Sequence, residues 1–277
     1  LIEELGIPGR HIAAVTFTNK AAREMKERVG RIVDRGKTRG LIVSTFHNLG
    51  LNMIREEYTH LGYHPGFSIF DAEDAKALLQ DLMMREASAE AGDELNDVQM
   101  TISSWKNAMR SPAEAYSKAA DEREQRIAIV YKHYNAYLKA YNAVDFDDLI
   151  MVPTVLFRDH PEVLTRWQKK IRYLLVDEYQ DTNGCQYELV KLLVGNRTGL
   201  TVVGDDDQSI YAWRGAKPEN LSLLKKDFPT LKLVKLEQNY RSTGLILNAA
   251  NKVIDNNPHE FEKKLWSDQG YGDQIRI

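Results

Sequence analysis

The 277 residues contain one cysteine, Cys185. It can form neither an internal disulfide nor a cysteine-rich zinc site, which suggests a reducing compartment. Long apolar runs are missing too. Leu149 to Phe157 is the longest candidate, short of the roughly 18 residues a membrane-spanning helix needs, and Pro153 interrupts it. No charged and apolar leader opens the chain. There is no excess of either charge: 37 Lys/Arg against 40 Asp/Glu leave −3. That excludes a protein that grips nucleic acid by bulk charge, while a local basic groove stays open to it. Hydrophobic residues at 43% and charged residues at 28% exclude collagen-like and disordered classes. No internal repeat or low-complexity linker is visible. A chain of this length buries roughly three quarters of its unfolded surface, enough for one large domain or two ordinary ones.

What is present reads as a sheet interrupted by helices. Short β-branched runs occur at Ile12–Phe17, Leu41–Phe46, Tyr173–Val176, Leu200–Val203 and Leu231–Leu236. Their lack of strict alternation suits parallel strands covered on both faces. After the first run, Ala22, Met25, Val29 and Ile32 recur at helical spacing, with Thr18 or Asn19 as the N-cap. Pro218 stands near a later helix start, and Ser242 or Thr243 can cap a helix over Leu245–Val253. Strand, turn and helix in repetition predict an α/β fold. From about His47 to Arg158 the pattern is helical throughout. Its clearest stripe is Ile127, Val130/Tyr131, Tyr134, Tyr137/Leu138 and Tyr141, and Asp71 with Asp74 resembles a capping box. Such a block between strands predicts a second domain inserted into the first. The chain opens on Leu1, in what reads as the end of a helix, so an upstream beginning is expected.

Charge is uneven along the chain. Residues 20–39 hold eight Lys/Arg against three Asp/Glu, and residues 71–98 hold two against nine. The acidic stretch reads as a solvated helix face. The basic one follows a strand end, where α/β folds bind ligands, so phosphate contact is an equal alternative to a solvated face.

Chemistry concentrates at the ends of the runs. Tyr-Leu-Leu-Val-Asp177-Glu178-Tyr-Gln180-Asp181 places two adjacent carboxylates where a strand stops. The first can serve Mg²⁺ and the second can orient an attacking water beside a phosphate. Alone, such a pair is usually a solvated strand end. Further on comes Gly204-Asp205-Asp206-Asp207-Gln208-Ser-Ile-Tyr211-Ala-Trp213-Arg214-Gly215. Gly204 permits a sharp exit from the strand. Gln208 can meet a γ-phosphate or its water, and Tyr211, Trp213 and Arg214 offer the rings and cation that stack unpaired bases. An isolated Trp213 is more often a core anchor. Gln238-Asn239-Tyr240-Arg241-Ser242 then places a guanidinium after a strand, where it can neutralise charge on a transferring phosphoryl group, with Tyr240 able to stack on a base. Taken alone, Arg241 reads as a surface ion-pair partner. Thr16-Phe17-Thr18-Asn19-Lys20 and Ser44-Thr45-Phe46-His47-Asn48 close two more strands with groups that bind phosphate oxygens. Phe17 and Phe46 fit a core equally well.

Taken in order, these strings resemble motifs Ia, Ib, II, III and IV of the superfamily 1A, UvrD-like DNA helicases. Trp105-Lys106-Asn107 and Val144-Asp145-Phe146-Asp147-Asp148-Leu149 extend the resemblance into the helical block, so that it covers essentially the whole chain. The resemblance implies an α/β fold: a RecA-like parallel sheet, an incomplete P-loop NTPase fold, with an inserted all-helical domain. Residues 1–46 and 159–277 would form RecA-like domain 1A, and 47–158 the helical domain 1B. It implies a bacterial, cytoplasmic, nucleoid-associated motor that couples ATP hydrolysis to 3′→5′ movement on single-stranded and forked DNA in replication or repair. ATP and Mg²⁺ would be its cofactors and replication-fork proteins possible partners. By motif, Asp177 would hold the metal and Glu178 the catalytic water, Gln208 would couple nucleotide state to DNA grip, and Arg241 would meet the γ-phosphate and Tyr240 the adenine. Thr16, Phe17, Asn19, Thr45, Phe46, His47, Tyr211, Trp213 and Arg214 would line the DNA track.

The family's phosphate-binding loop, Gly-x-x-x-x-Gly-Lys-Thr, does not occur in these residues. It is expected before Leu1, and motifs V and VI after Ile277. Because that loop supplies most of the grip on the β- and γ-phosphates, these 277 residues by themselves are expected neither to bind ATP tightly nor to hydrolyse it. Two other classes compete. One is a metal-dependent nuclease built on Asp177, Glu178 and Asp205–Asp207. The other is a passive single-strand-binding module.

Overall fold

The computed structural model describes residues 1–85, 94–258 and 261–276, with the side chains of Glu94 and Arg214 also outside the description. Along the chain run α1 (Ile2–Leu5), β1 (Ile12–Thr16), α2 (Asn19–Ile32), β2 (Ile42–Thr45), α3 (Phe46–Glu57), β3 (Ser68–Phe70) and α4 (Ala72–Arg85). Then follow α5 (Glu94–Asn107), α6 (Pro112–Ser117), α7 (Glu122–Ala140), β4 (Ala143–Asp145), α8 (Asp148–Asp159) and α9 (Pro161–Lys170). The last elements are β5 (Tyr173–Val176), α10 (Gly184–Val194), β6 (Leu200–Val202), α11 (Glu219–Asp227) and α12 (Gly244–Ile254).

Four strands form one parallel sheet in the order β2-β1-β5-β6. The central β1 is buried along its whole length, as its unbroken apolar run requires. Its core partners come from both ends of the chain: Ala13 and Val15 pack with Phe46, Met53, Phe157, Trp167, Leu174, Val176 and Leu189. The block between β2 and β5 has a core of its own. Leu79, Leu82, Val98, Ile102, Trp105, Tyr131, Tyr134 and Leu138 pack together, the α7 stripe facing inward. Thus α3 and α8 enter and leave the block as parts of the sheet's core, while α4 to α7 make a separate one. Gly50 lets α3 and α8 touch: a Cβ there would stand 1.8 Å from the Leu149 carbonyl oxygen.

The caps follow the local chemistry. Thr18 accepts from the Ala21 amide, and Asp71 accepts from Glu73 and Asp74 while its own amide donates to Asp74 Oδ2, closing a reciprocal box. Thr243 stands at the N-cap of α12, although its side chain makes no capping bond. All eight basic residues of 20–39 are exposed, and so are Asp71, Glu73 and Asp74. The rest of the acidic stretch includes 86–93, which lie outside the described residues. Among the described residues, no helix is long and apolar enough to cross a membrane.

Two expectations need correction. The helical block is not free of strands, because Ser68–Phe70 pairs in parallel with Ala143–Asp145. Three residues are too few to establish a period-2 pattern, so this pair was invisible to periodicity. Conversely, Leu231–Leu236 is not a strand. Leu233, Val234 and Leu236 are exposed, and among the described residues the only pairing nearby is one isolated bridge between Gln238 and Trp266. An apolar run becomes a strand only where a neighbouring edge satisfies its backbone groups.

Candidate functional site

Because the four strands are parallel and in register, their carboxyl ends share one edge. Thr16 lies opposite Thr45, Val15 opposite Val176, and Val176 opposite Val202. The residues that follow each strand therefore meet along a single rim, where ligands of open α/β sheets bind.

At the centre of the rim, the Asp177 amide donates to Val15 O at 2.9 Å and the Tyr179 amide to Val203 O at 2.9 Å. Between them Glu178 takes a left-handed conformation, φ 51°, uncommon for a residue with a Cβ. It remains exposed, while Gln180 behind it is buried. Gln180 spans two strand ends: Nε2 donates to Glu178 Oε2 at 2.8 Å, and Oε1 accepts from the Asp205 amide at 3.0 Å. Gly204 makes room for this side chain, since a Cβ there would lie 3.0 Å from Gln180 Oε1. Its φ is not positive, so close approach rather than a sharp left-handed exit explains the glycine. Asp205 then accepts from the Asp207 amide and, at 2.6 Å, from Gln208 Nε2. Glu178, Gln180, Asp205 and Gln208 are thus one hydrogen-bonded run.

Asp177 is partly buried, and its carboxyl is held above the usual range by burial and by the adjacent Glu178 charge. No cationic side chain pairs with Asp177 or Glu178 among the described residues. Two hard oxygen donors whose charge lacks a counter-ion suit Mg²⁺. The Asp205, Asp206 and Asp207 carboxylates cluster separately, and Lys263 Nζ contacts all three.

Along the rest of the rim the expected DNA-facing residues divide. Thr16 and Phe46 lie in the interior, with Phe46 only 2% exposed in the main core. They support the surface and offer no face to a ligand, because the β2–α3 junction turns the ring inward. Thr45 is also buried and spends its hydroxyl capping α3 through the Asn48 amide. Phe17 is only partly covered and packs against Phe46 at 5.5 Å between centroids. Asn19 is exposed and accepts from Asn48 Nδ2 at 3.2 Å. His47 meets the exposed Phe146 ring edge-on at 6.0 Å, and burial lowers its pKa. Trp213 is 70% exposed, so it is no core anchor, and Tyr211 is half-exposed beside it. Their turn is tied back to the carboxylate segment by Lys217, whose amide donates to Thr182 O at 2.9 Å. The Arg214 side chain lies outside the described residues.

Tyr240 and Arg241 sit apart from this run. Both are exposed, and no hydrogen bond or ion pair joins Arg241 to Asp177, Glu178 or Gln208 among the described residues. Their segment is held by 264–271: Trp266 donates its amide to Glu237 O, Asn239 its amide to Trp266 O, and Gln269 its side chain to Tyr240 O.

The rim is also anchored to the helical block. Asn183, the N-cap of α10, donates to Asn107 Oδ1 at 2.6 Å, and Asn107 donates to Asp147 Oδ1 at 3.1 Å. Asn220 donates to Thr182 on the other side. Beside them Lys106, fully buried, pairs with Asp145 at 2.7 Å and Asp148 at 2.8 Å, and Tyr134 donates to Asp145. Burial alone would lower the Lys106 pKa, but the two carboxylates outweigh it and raise it. Asp147 is pushed up to about 6 by burial and the nearby Asp145 charge.

Residue chemistry alone left Gln180, Asn107, Asn183, Phe146 and Lys263 without roles. Gln180, Asn107 and Phe146 lie inside strings that carried the family resemblance, and Asn183 stands two residues past one of them, which was the available signal; Lys263 had none.

The pattern is matched by known proteins. Residues 1–229 match the UvrD/REP helicase N-terminal domain, and residues 234–277 the UvrD-like helicase C-terminal domain. The chain belongs to the UvrD/REP helicase family. It is 58% identical over 278 residues to the ATP-dependent DNA helicase Rep of Escherichia coli K12, covering 100% of this chain and 41% of that protein. Rep of Buchnera aphidicola subsp. Schizaphis graminum is 49% identical over 270 residues, covering 98% and 41%. PcrA of Staphylococcus aureus Mu50 is 44% identical over 275 residues, covering 99% and 38%. The chain thus spans about two fifths of the length of these relatives. The carboxylate pair and the Gln208 turn leave adjacent parallel strands, β5 and β6.

Proposed function

We propose that these residues form part of an ATP-driven 3′→5′ translocase on single-stranded DNA, with the sheet rim as its nucleotide and DNA face. The observation that carries this is the run Glu178–Gln180–Asp205–Gln208, which makes the ends of β5 and β6 one unit. In this reading Glu178 orients the attacking water and accepts its proton, with the carboxylate aimed by Gln180. Gln208 moves with Asp205, so a change at the phosphate reaches the Trp213 turn through five residues of chain. Asp177 would hold Mg²⁺, which supplies charge neutralisation to the phosphates when bound. Arg241 would meet the γ-phosphate and Tyr240 the adenine, on a segment separately tethered to 264–271. Phe17, Asn19, His47, Tyr211, Trp213 and Arg214 would contact the strand, with Phe146 beside His47 as an addition. Thr16, Thr45 and Phe46 would act from behind that surface. The basic face of α2 suits phosphate contacts.

The domain division follows the same reading: 1–46 and 159–277 as the RecA-like part and 47–158 as the helical insertion, with α3 and α8 packed into the sheet's core. Work on single-stranded and forked DNA at bacterial replication forks, in the nucleoid, completes the proposal. A metal-dependent nuclease is disfavoured by Lys263, whose ammonium fills the centre of the Asp205–Asp207 cluster.

Binding of labelled oligothymidylate to the purified chain, followed by anisotropy, tests the DNA face. Trp213→Ala should weaken it by about 1–3 kcal/mol, or roughly 5- to 150-fold. Equal binding by wild type and variant would sink this face. In the absence of a phosphate-binding loop, the 277 residues should show no DNA-stimulated ATP turnover. When that loop is joined to them, Glu178→Gln should abolish turnover and spare DNA binding.

A further inference from the structure

We infer that Lys263 is a positioning residue that clamps the Tyr240–Arg241 segment to the Gln208 turn, an ammonium standing where three carboxylates would otherwise gather a metal ion. The inference rests on the proposed role of this rim in nucleotide hydrolysis.

The carboxylate oxygens of Asp205, Asp206 and Asp207 lie within 4.8 Å of one another, a spacing at which they would repel strongly without a cation. Lys263 Nζ supplies it, donating to Asp205 Oδ1, to Asp206 Oδ1 at 2.6 Å, and lying 3.0 Å from Asp207 Oδ2. Three donors on one ammonium face one oxygen from each of three carboxylates, so a single cation lies in reach of all three. The site is partly shielded: side-chain exposure is 19% for Lys263, 31% for Asp205, 11% for Asp206 and 12% for Asp207. Two neighbouring contacts hold the lysine in place. The Phe261 amide donates to Asp206 Oδ2 at 3.2 Å, and Lys225 lies 4.4 Å over the Phe261 ring.

Lys263 stands between two groups of functional residues. On one side, Asp205 uses its other oxygen for Gln208 Nε2 and its amide for Gln180, which holds Glu178. On the other, residues 264–271 carry the segment of Tyr240 and Arg241: Lys264 donates its amide to Glu237 Oε1, and Gly244 donates to Gly270 O. Arg241 makes no direct contact with the carboxylate run, so Lys263 is the charged link between them among the described residues. Opening this cluster would free the two halves of the proposed phosphate site to move independently. Closing it would bring them into one register.

Amide hydrogen exchange on the purified 277-residue chain tests the clamp without nucleotide or DNA, so its failure is separable from failure of the helicase reading. Lys263→Met should speed exchange by at least about tenfold in both the 205–210 turn and the 239–266 pairing, leaving α7 and α10 within about threefold of wild type. Lys263→Arg should restore both regions. Manganese titration of Lys263→Met should reveal a bound ion that Asp206→Asn removes, absent from wild type at that cluster. Loosening of only one region, uniform loosening of the whole chain, or failure of the arginine to restore protection would overturn the assignment.

Discussion

Gln180 and Glu178 are joined by a 2.8 Å hydrogen bond from a buried amide to an exposed carboxylate. The same amide accepts from Asp205, so the orientation of Glu178 depends on a neighbouring strand end. Gln180→Leu removes both bonds while keeping the volume, and leaves the Asp205 amide without its acceptor. The expected cost is about 1–3 kcal/mol of stability, read from urea denaturation. An unchanged midpoint would show that the bridge is incidental.

Lys106 is completely buried between Asp145 and Asp148. Replacing it by methionine leaves two buried carboxylates in the helical block without a cation, Asp145 still accepting from Tyr134 and the Asp148 amide and Asp148 from the Asp145 amide. Breaking a buried pair in this way costs about 3–5 kcal/mol. Thermal unfolding should fall accordingly, and the double change with Asp148→Asn should recover part of the loss.

For Gly50→Ala two effects oppose each other. Helix propensity favours alanine by about 1 kcal/mol. A Cβ at 1.8 Å from Leu149 O and 2.9 Å from its carbonyl carbon meets backbone, which cannot swing aside. Overpacking should win, with a net loss of roughly 1–3 kcal/mol and weaker protection of α3 and α8 in hydrogen exchange. A more stable variant would contradict the close packing of these helices.

Asp147 sets a pH dependence. Its folded pKa, about 6, lies above the ordinary carboxyl value of 3.8, so the folded chain binds the proton more tightly. Stability from this group is therefore greatest below the unfolded pKa and declines as pH rises through the folded one. Because Asp147 keeps partial solvent access, a contribution of about 1–2 kcal/mol is expected. The stability difference between wild type and Asp147→Asn should fall between pH 4 and 6 and then level off. A pH-independent difference would remove Asp147 as its source.

Local sequence determined much of this protein. Apolar runs placed the four sheet strands, hydroxyl and carboxylate caps placed helix starts, and parallel strands brought Asp177, Glu178 and Gln208 to one edge. These features depend on neighbours a few residues away, which sequence states directly. Tertiary structure alone decided the rest. Phe17 and Phe46 look equivalent as letters, yet one is partly open and the other is core. Leu231–Leu236 has a strand's composition and no edge to join. The bonds from Asn183 to Asn107, 76 positions away, and from Lys263 to Asp205, 58 away, arise from chain crossings. A polar side chain can satisfy itself with water or with many partners, so its residue type does not name the one that folding brings near.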